Sequence, residues 1–234
     1  MNKTFLMTGY SSGIGAKITE NLLTLGHTVI GLGRRPPTIE HARLHTIRVD
    51  LAALERFPDY LSQLKPYLAH LDGAIFSAGQ GRFGHLEQFS PQQIRQLMDV
   101  NFTSQAILTR ALLPALKQKA HGILLYIGSE AALAGRRQGT VYCASKFALR
   151  GFCQALREEC ASSGIRVCLI NPGMVQTPFF DNLHFAPGEQ PGQRLTSEDV
   201  ANWVSAMLTS PEHLVVDELN LSPIKQQVVF KHKT

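Results

Sequence analysis

Thr8-Gly9-Tyr10-Ser11-Ser12-Gly13-Ile14-Gly15 is the stretch that decides the fold. A short apolar run at residues 4–8 leads into it. A segment over residues 15–25, with apolar Ile18, Leu22 and Leu25, leaves it. The order is strand, glycine-rich turn, helix. Glycines in such a turn allow a tight bend and let backbone approach a pyrophosphate closely. The helix start that follows offers free N–H groups and a positive dipole end to phosphate. Gly9, Ser11, Ser12, Gly13, Ile14 and Gly15 are therefore expected to cradle a dinucleotide. The spacing is GxxxGxG, not GxGxxG, and Ile14 stands where a Walker A loop needs Lys. Four fixed residues at these spacings arise by chance in about one chain per thousand of this length.

The rest of the chain repeats the alternation. Continuous apolar runs at 27–32, 45–49, 73–77, 122–127, 166–170 and 218–221 read as strands covered on both faces. Helical segments lie between them. Ser90-Pro91-Gln92-Gln93 carries a cap, a first-position proline and a capping-box glutamine. It predicts a helix to about 118, with Pro114 as a late kink or break. Residues 142–163 form another long helical segment, ended by Gly164, and Thr196-Ser197-Glu198-Asp199 starts one that runs through Met207. Repeated βα units predict an α/β, doubly wound Rossmann-like fold of about seven parallel strands with helices on both faces. No linker divides residues 1–234, so one domain is expected.

Composition narrows the function. The chain has 234 residues, 44% hydrophobic and 18% charged, which fits a folded domain. No run approaches the roughly 20 apolar residues of a membrane span, and no signal peptide is evident. A cytoplasmic protein without membrane or nucleic-acid partners is expected. The formal charge of +5 comes from isolated pairs, Arg34-Arg35 and Arg136-Arg137, and a short tail with Lys231 and Lys233. An anionic small-molecule ligand explains that balance better than nucleic acid. Cys143, Cys153, Cys160 and Cys168 make no CxxC pair and have no histidine at ligand spacing. Buried free thiols, and no metal, are expected.

Tyr142-Cys143-Ala144-Ser145-Lys146 puts a phenol and an ammonium on one helix face. An ammonium there lowers the phenol's pKa and makes it a usable acid–base. Alone the pair is weak, since it arises by chance in about one chain of this length in two. Its company strengthens it. Ser129 follows the run at 122–127, at the carboxyl end of a strand where ligands bind. Asn101 sits within an apolar stretch and needs a hydrogen-bonding reason.

With these residues in place, the sequence resembles the short-chain dehydrogenase/reductase family over nearly its whole length. The likeness rests on Thr8 to Gly15, Asp50, Ser77-Ala78-Gly79, Asn101, Ser129, Tyr142 with Lys146, and Asn171-Pro172-Gly173 with Thr177. The resemblance implies that Tyr142 protonates a carbonyl oxygen and that Lys146 lowers its pKa and holds the nicotinamide ribose. Ser129 would polarise the carbonyl, and Asn101 would hold a water in a relay to Lys146. Asp50 would touch the adenine. Ser77, Ala78 and Gly79 would line the cofactor, and Asn171, Pro172, Gly173, Val175 and Thr177 would border the nicotinamide and its carboxamide. Phe76-Ser77 stands where the family often has two asparagines. That departure alters cofactor-edge hydrogen bonds without removing a catalytic group.

The family reading implies an NADPH-dependent oxidoreductase acting on a ketone or aldehyde. Oxidation or reduction of 3-oxoacyl thioesters, 3-hydroxy acids or small diketones stays open. An inactive dinucleotide-sensing protein is the rival from another class. Gly33 and Arg34 end the second strand, with Arg35 next, where an NAD site commonly has an acid. Guanidinium suits a 2′-phosphate, so NADP(H) is the expected cofactor. Residues 174–193, with Phe179, Phe180 and Phe185, read as a flexible substrate lid. Arg136 and Arg137 either hold a substrate carboxylate or form a solvated surface pair. The resemblance also implies a homodimer or homotetramer built on the helices at 91–118 and 142–163.

Overall fold

The computed structural model describes residues 2–231. Lys233, counted above in the basic tail, lies outside the described residues. Seven strands form one parallel sheet in the order β3-β2-β1-β4-β5-β6-β8. They are β1 (Thr4–Thr8), β2 (Thr28–Gly33), β3 (Leu44–Arg48), β4 (Gly73–Phe76), β5 (Gly122–Ile127), β6 (Ile165–Pro172) and β8 (Glu218–Leu221). Each corresponds to an apolar run expected to be a strand.

Residues alternate between two cores because strand side chains alternate faces. Leu6, Ile30, Ala74, Leu124 and Val167 pack on one side, with α2 (Phe57–Leu68), α4 (Ser104–Lys119) and α5 (Thr140–Cys160). Phe5, Val29, Ile75, Ile123 and Cys168 pack on the other, with α1 (Gly13–Thr24) and α6 (Ser197–Thr209). All four cysteines are free and buried.

Four details differ from the sequence reading. Helix α2 was not foreseen; Phe57, Tyr60 and Leu64 bury its inner face although Pro58 opens it and Pro66 lies inside it. The helix expected over 91–118 is α3 (Pro91–Met98) and α4 joined by a π-helical turn, Asp99–Thr103. Pro114 does not break α4, which continues to Lys119 and ends at Ala120 in the left-handed region. Finally, β7 (Phe185–Pro187) pairs antiparallel with β9 (Val228–Phe230) in a small second sheet. The segment expected to be a flexible lid is thus tied to the far end of the chain. The predicted caps are present: Ser90 with Gln93 starts α3, and Thr196 with Asp199 starts α6.

Candidate active site

A cleft of about 1320 Å³ opens at the carboxyl ends of the sheet strands. One end is built by the turn between β1 and α1. Gly9 has φ +71°, and a Cβ there would fall 2.8 Å from the backbone of Ala78. A Cβ on Gly15 would fall 2.1 Å from the Gly9 carbonyl oxygen. Bare Cα atoms therefore keep the turn narrow and open toward the cleft. Ser12 caps α1 without a side-chain cap bond. Gly13, Ile14 and Gly15 lie in the first turn, where N–H groups have no intrahelical partner. These residues fit a pyrophosphate.

Ser11, Ser12, Arg34, Arg35 and Asp50 line the same end. Arg35 Nη2 donates to Ser12 Oγ at 2.5 Å, and the Tyr10 hydroxyl donates to the Arg35 carbonyl at 2.8 Å. Arg35 is thus fixed beside the phosphate turn, whereas the sequence pointed first to Arg34. Tyr10 was missed altogether. A Cβ on Gly31 would meet its ring at 2.7 Å, and one on Gly33 at 3.1 Å. The signal was present as Gly31 and Gly33 flanking a buried strand position. Asp50 Oδ1 accepts from Ala52 N at 3.1 Å, bracing the loop after β3. Ser77, Ala78 and Gly79 form the floor, with Pro172, Gly173, Val175 and Thr177 opposite.

The inner end holds Ser129, Tyr142 and Lys146. Lys146 Nζ donates to the Ile127 carbonyl at 3.1 Å and lies 6.0 Å from the Tyr142 ring centroid. Burial pushes the ammonium down to about 8. Burial pushes the Tyr142 phenol up to about 12, with the Ser129 hydroxyl pulling it part of the way back. The expected lowering of Tyr142 by Lys146 is therefore not what the site shows. Loss of hydration disfavours the phenolate more than its neighbours favour it. The neutral phenol that results is the proton-donating form.

Asn101 does not line the cleft wall. It is fully buried, and its side chain bonds to Gln80 and Ser145. Its Nδ2 donates to the Gln80 carbonyl and to Ser145 Oγ, both at 3.0 Å, and its Oδ1 accepts from Gln80 N at 2.9 Å. Ser145 Oγ passes the link to the Tyr142 carbonyl at 2.7 Å. The π turn presents Asn101 to both the loop after β4 and helix α5. Behind the bare Cα of Gly79, a Cβ would lie 3.5 Å from Asn101 Oδ1 and 3.7 Å from Lys146 Nζ.

Aromatic rings wall the inner end. Phe83 lies 5.0 Å and Phe179 5.9 Å from the Tyr142 centroid, and Phe185 lies 4.9 Å from Phe83. Val228, Phe230 and Gln226 complete the wall from the far end of the chain. Lys231 Nζ donates to the carbonyls of Phe180 and Asp181, at 2.5 and 3.1 Å. Arg82, Arg136 and Arg137 are exposed at the rim. Glu130 stands among them, 3.8 Å from Arg136 Nη2, and accepts from Gln226 Nε2 at 3.3 Å. The sequence reading named neither Phe83, Glu130 nor the residues near 228, because only the fold brings them to the cleft.

The short chain dehydrogenase family model matches residues 3–186. The chain is 28% identical over 235 residues to the NADP-dependent 3-hydroxy acid dehydrogenase of Escherichia coli K12, covering 94% of this chain and 95% of that protein. It is 28% identical over 228 residues to an uncharacterized oxidoreductase of Staphylococcus epidermidis, covering 95% and 97%. Among solved structures, serine dehydrogenase from Escherichia coli superposes with a TM-score of 0.80 at 27% identity, over 93% of this chain and 96% of that one. The closed form of a serine dehydrogenase complexed with NADP+ gives 0.81 at 26%, over 93% and 94%. Fold, cleft and sequence agree, and the chain belongs to the short chain dehydrogenase family of oxidoreductases.

Proposed function

We propose that this protein is an NADPH-dependent carbonyl reductase whose substrates include 3-oxo acids, with the 3-hydroxy acids as products. The observation that carries the reading is the meeting of Ser129, Tyr142 and Lys146 at the inner end of a cleft whose other end is a glycine cradle. The names of the relatives, a 3-hydroxy acid dehydrogenase and a serine dehydrogenase, support the substrate class. So do the aromatic wall, suited to an apolar chain, and the rim arginines, suited to a carboxylate. A wholly inactive dinucleotide sensor would not need this set of groups.

The dinucleotide, when bound, supplies a hydride to the carbonyl carbon. Gly9 to Gly15 would hold its pyrophosphate, Asp50 its adenine, Arg34 and Arg35 its 2′-phosphate, and Pro172 to Thr177 its nicotinamide end. The Ser129 hydroxyl donates to the substrate carbonyl oxygen and draws charge onto it. Tyr142 gives its phenolic proton to that oxygen, so the carbon gains hydride and the oxygen a proton. The ammonium of Lys146 offsets the phenolate left behind. Asn101 and Ser145 hold α5, and with it Tyr142, against the loop after β4. Residues 174–193 act as the lid, and α3, α4 and α5 form the face of a homodimer or homotetramer.

Tyr142→Phe should keep the fold and NADPH affinity and lower kcat by about 10²–10⁴-fold. NADPH consumption across a panel of 3-oxo acids, ketones and aldehydes measures this. A variant retaining more than about a tenth of wild-type kcat on a substrate that wild type reduces would remove Tyr142 from the mechanism.

Lys146 gives a pH signature. Its folded pKa, about 8, lies below the ordinary 10.5, so the unfolded chain binds more protons between those values. Stability then rises with pH through that window, and the burial cost is present in full below it. Lys146→Met should raise stability near pH 7 by about 1–3 kcal/mol while abolishing turnover. Wild-type reduction should lose rate as pH rises through about 8, as the ammonium is lost. Urea melts and a kcat–pH profile check both; a destabilised Lys146→Met, or a profile flat to pH 9.5, counts against the assignment.

Arg34→Ala and Arg35→Ala should each raise KM for NADPH by about 10- to 150-fold and leave KM for NADH little changed. Equal losses for the two cofactors, or a wild-type preference for NADH, would defeat the 2′-phosphate assignment.

The homodimer is expected to have twice the chain mass of 25.8 kDa, or four times in a tetramer. A monomer mass by light scattering at micromolar concentration contradicts it.

A further inference from the structure

Asn171, near the end of β6 and expected to border the nicotinamide, does not line the cleft; its side chain bonds instead to Ser129 and to β8. Its Oδ1 accepts from the Ser129 backbone N–H at 3.3 Å. A Cβ on Gly128 would fall 2.1 Å from that oxygen, so the amide fills room that only glycine leaves. Its Nδ2 donates to Glu218 Oε1 at 2.7 Å and to Asn220 Oδ1 at 3.0 Å. Glu218 accepts from Arg150 Nε through both oxygens, at 2.8 and 3.1 Å.

Arg150 stands one helical turn beyond Lys146 on α5. Lys146 holds the Ile127 carbonyl, two residues before Ser129. A polar circuit therefore leaves α5 at Arg150, crosses β8 and β6, reaches residue 129, and returns from Ile127 to Lys146. It joins the two elements that carry Ser129 and Tyr142. Asn171 is 1% exposed, so its amide needs partners, and a charged acceptor binds it more strongly than a neutral one.

Anchoring β8 does not account for the Arg150–Glu218 pair. The β6–β8 ladder already pairs four residues. Arg157 independently ties α5 to Asp217, by Nη2 to its carbonyl at 2.6 Å and Nε to its carboxylate at 3.1 Å. What the pair alone does is fix the Asn171 amide. Without the Glu218 carboxylate, the Asn171 amide loses its charged acceptor and keeps Asn220 Oδ1 alone to hold Oδ1 toward Ser129.

We propose that Glu218, held by Arg150, is a positioning residue that sets Ser129 against Tyr142 through Asn171. This rests on the role of Ser129 proposed above. Misplacing a reacting group by about 1 Å costs up to about 10²-fold. Glu218→Leu should lower kcat about 10-fold or more, with NADPH affinity within about twofold of wild type. Glu218→Gln, which keeps an acceptor for Asn171, should lose no more than about threefold. The decisive experiment is a double-mutant cycle with Ser129→Ala, read as kcat on the best 3-oxo acid. In that background Glu218→Leu should cost less than about twofold, because no hydroxyl is left to misplace. Equal fold-losses in both backgrounds, or an unchanged kcat in Glu218→Leu, overturn the proposal. Should Glu218→Leu fail to fold, Arg150→Met carries the same cycle with a smaller loss of about threefold. A wild type that reduces no carbonyl compound, or a Ser129→Ala that loses no activity, instead overturns the role of Ser129, and the proposal with it.

Discussion

Close packing against bare glycine Cα atoms at the carboxyl ends of the strands is the constraint on which the site depends. Gly9 against Ala78, Gly15 against Gly9 and Gly128 against Asn171 each occupy room that a Cβ would fill. A parallel sheet delivers its loops to one edge, but it does not make them converge. Here the first and fourth strands meet through Gly9, and the fifth and sixth through Gly128. The turn after β1 can then face the residues after β5 across one cleft.

The cost of the arrangement falls on the inner end. Lys146 and Tyr142 are nearly dry, and burial shifts each toward its neutral form. A fold selected for stability alone would place a methionine or leucine beside such a tyrosine. Retaining an ammonium with one carbonyl partner marks a trade between stability and chemistry.

Much of this was legible in the sequence. The inner strands could be read because residues covered on both faces form unbroken apolar runs, as in residues 122–127, whereas the edge strands β3 and β8 are only partly covered. The phosphate turn and the Tyr142–Lys146 pair could be read because each is local, set by spacing on one turn or one helix. Helix α2 escaped because Pro58 and Pro66 mask the spacing of Phe57, Tyr60 and Leu64. The π turn at Asp99–Thr103 has no local signature; it shows only once Asn101 has partners on two elements. The direction of the Tyr142 shift depends on burial, a tertiary quantity. Arg35 rather than Arg34 was found at Ser12 because which of two adjacent side chains faces the turn depends on how the strand ends.

The pairing of β7 with β9 has a consequence for how the cleft can change. Val228 and Phe230 face the cleft while Val229 does not. The pairs are Phe185 with Phe230, Ala186 with Val229 and Pro187 with Val228, flanked by backbone bonds from Gly188 to Gln227 and from Lys231 to His184. Side chains on a strand alternate faces, so a slip of one residue turns the whole set over. A single insertion or deletion between β8 and β9 that shifted this register would put Val229 into the cleft and turn both neighbours out. The substrate wall could be exchanged in one step, while the sheet, the glycine cradle and the Ser129–Tyr142–Lys146 group stayed where they are.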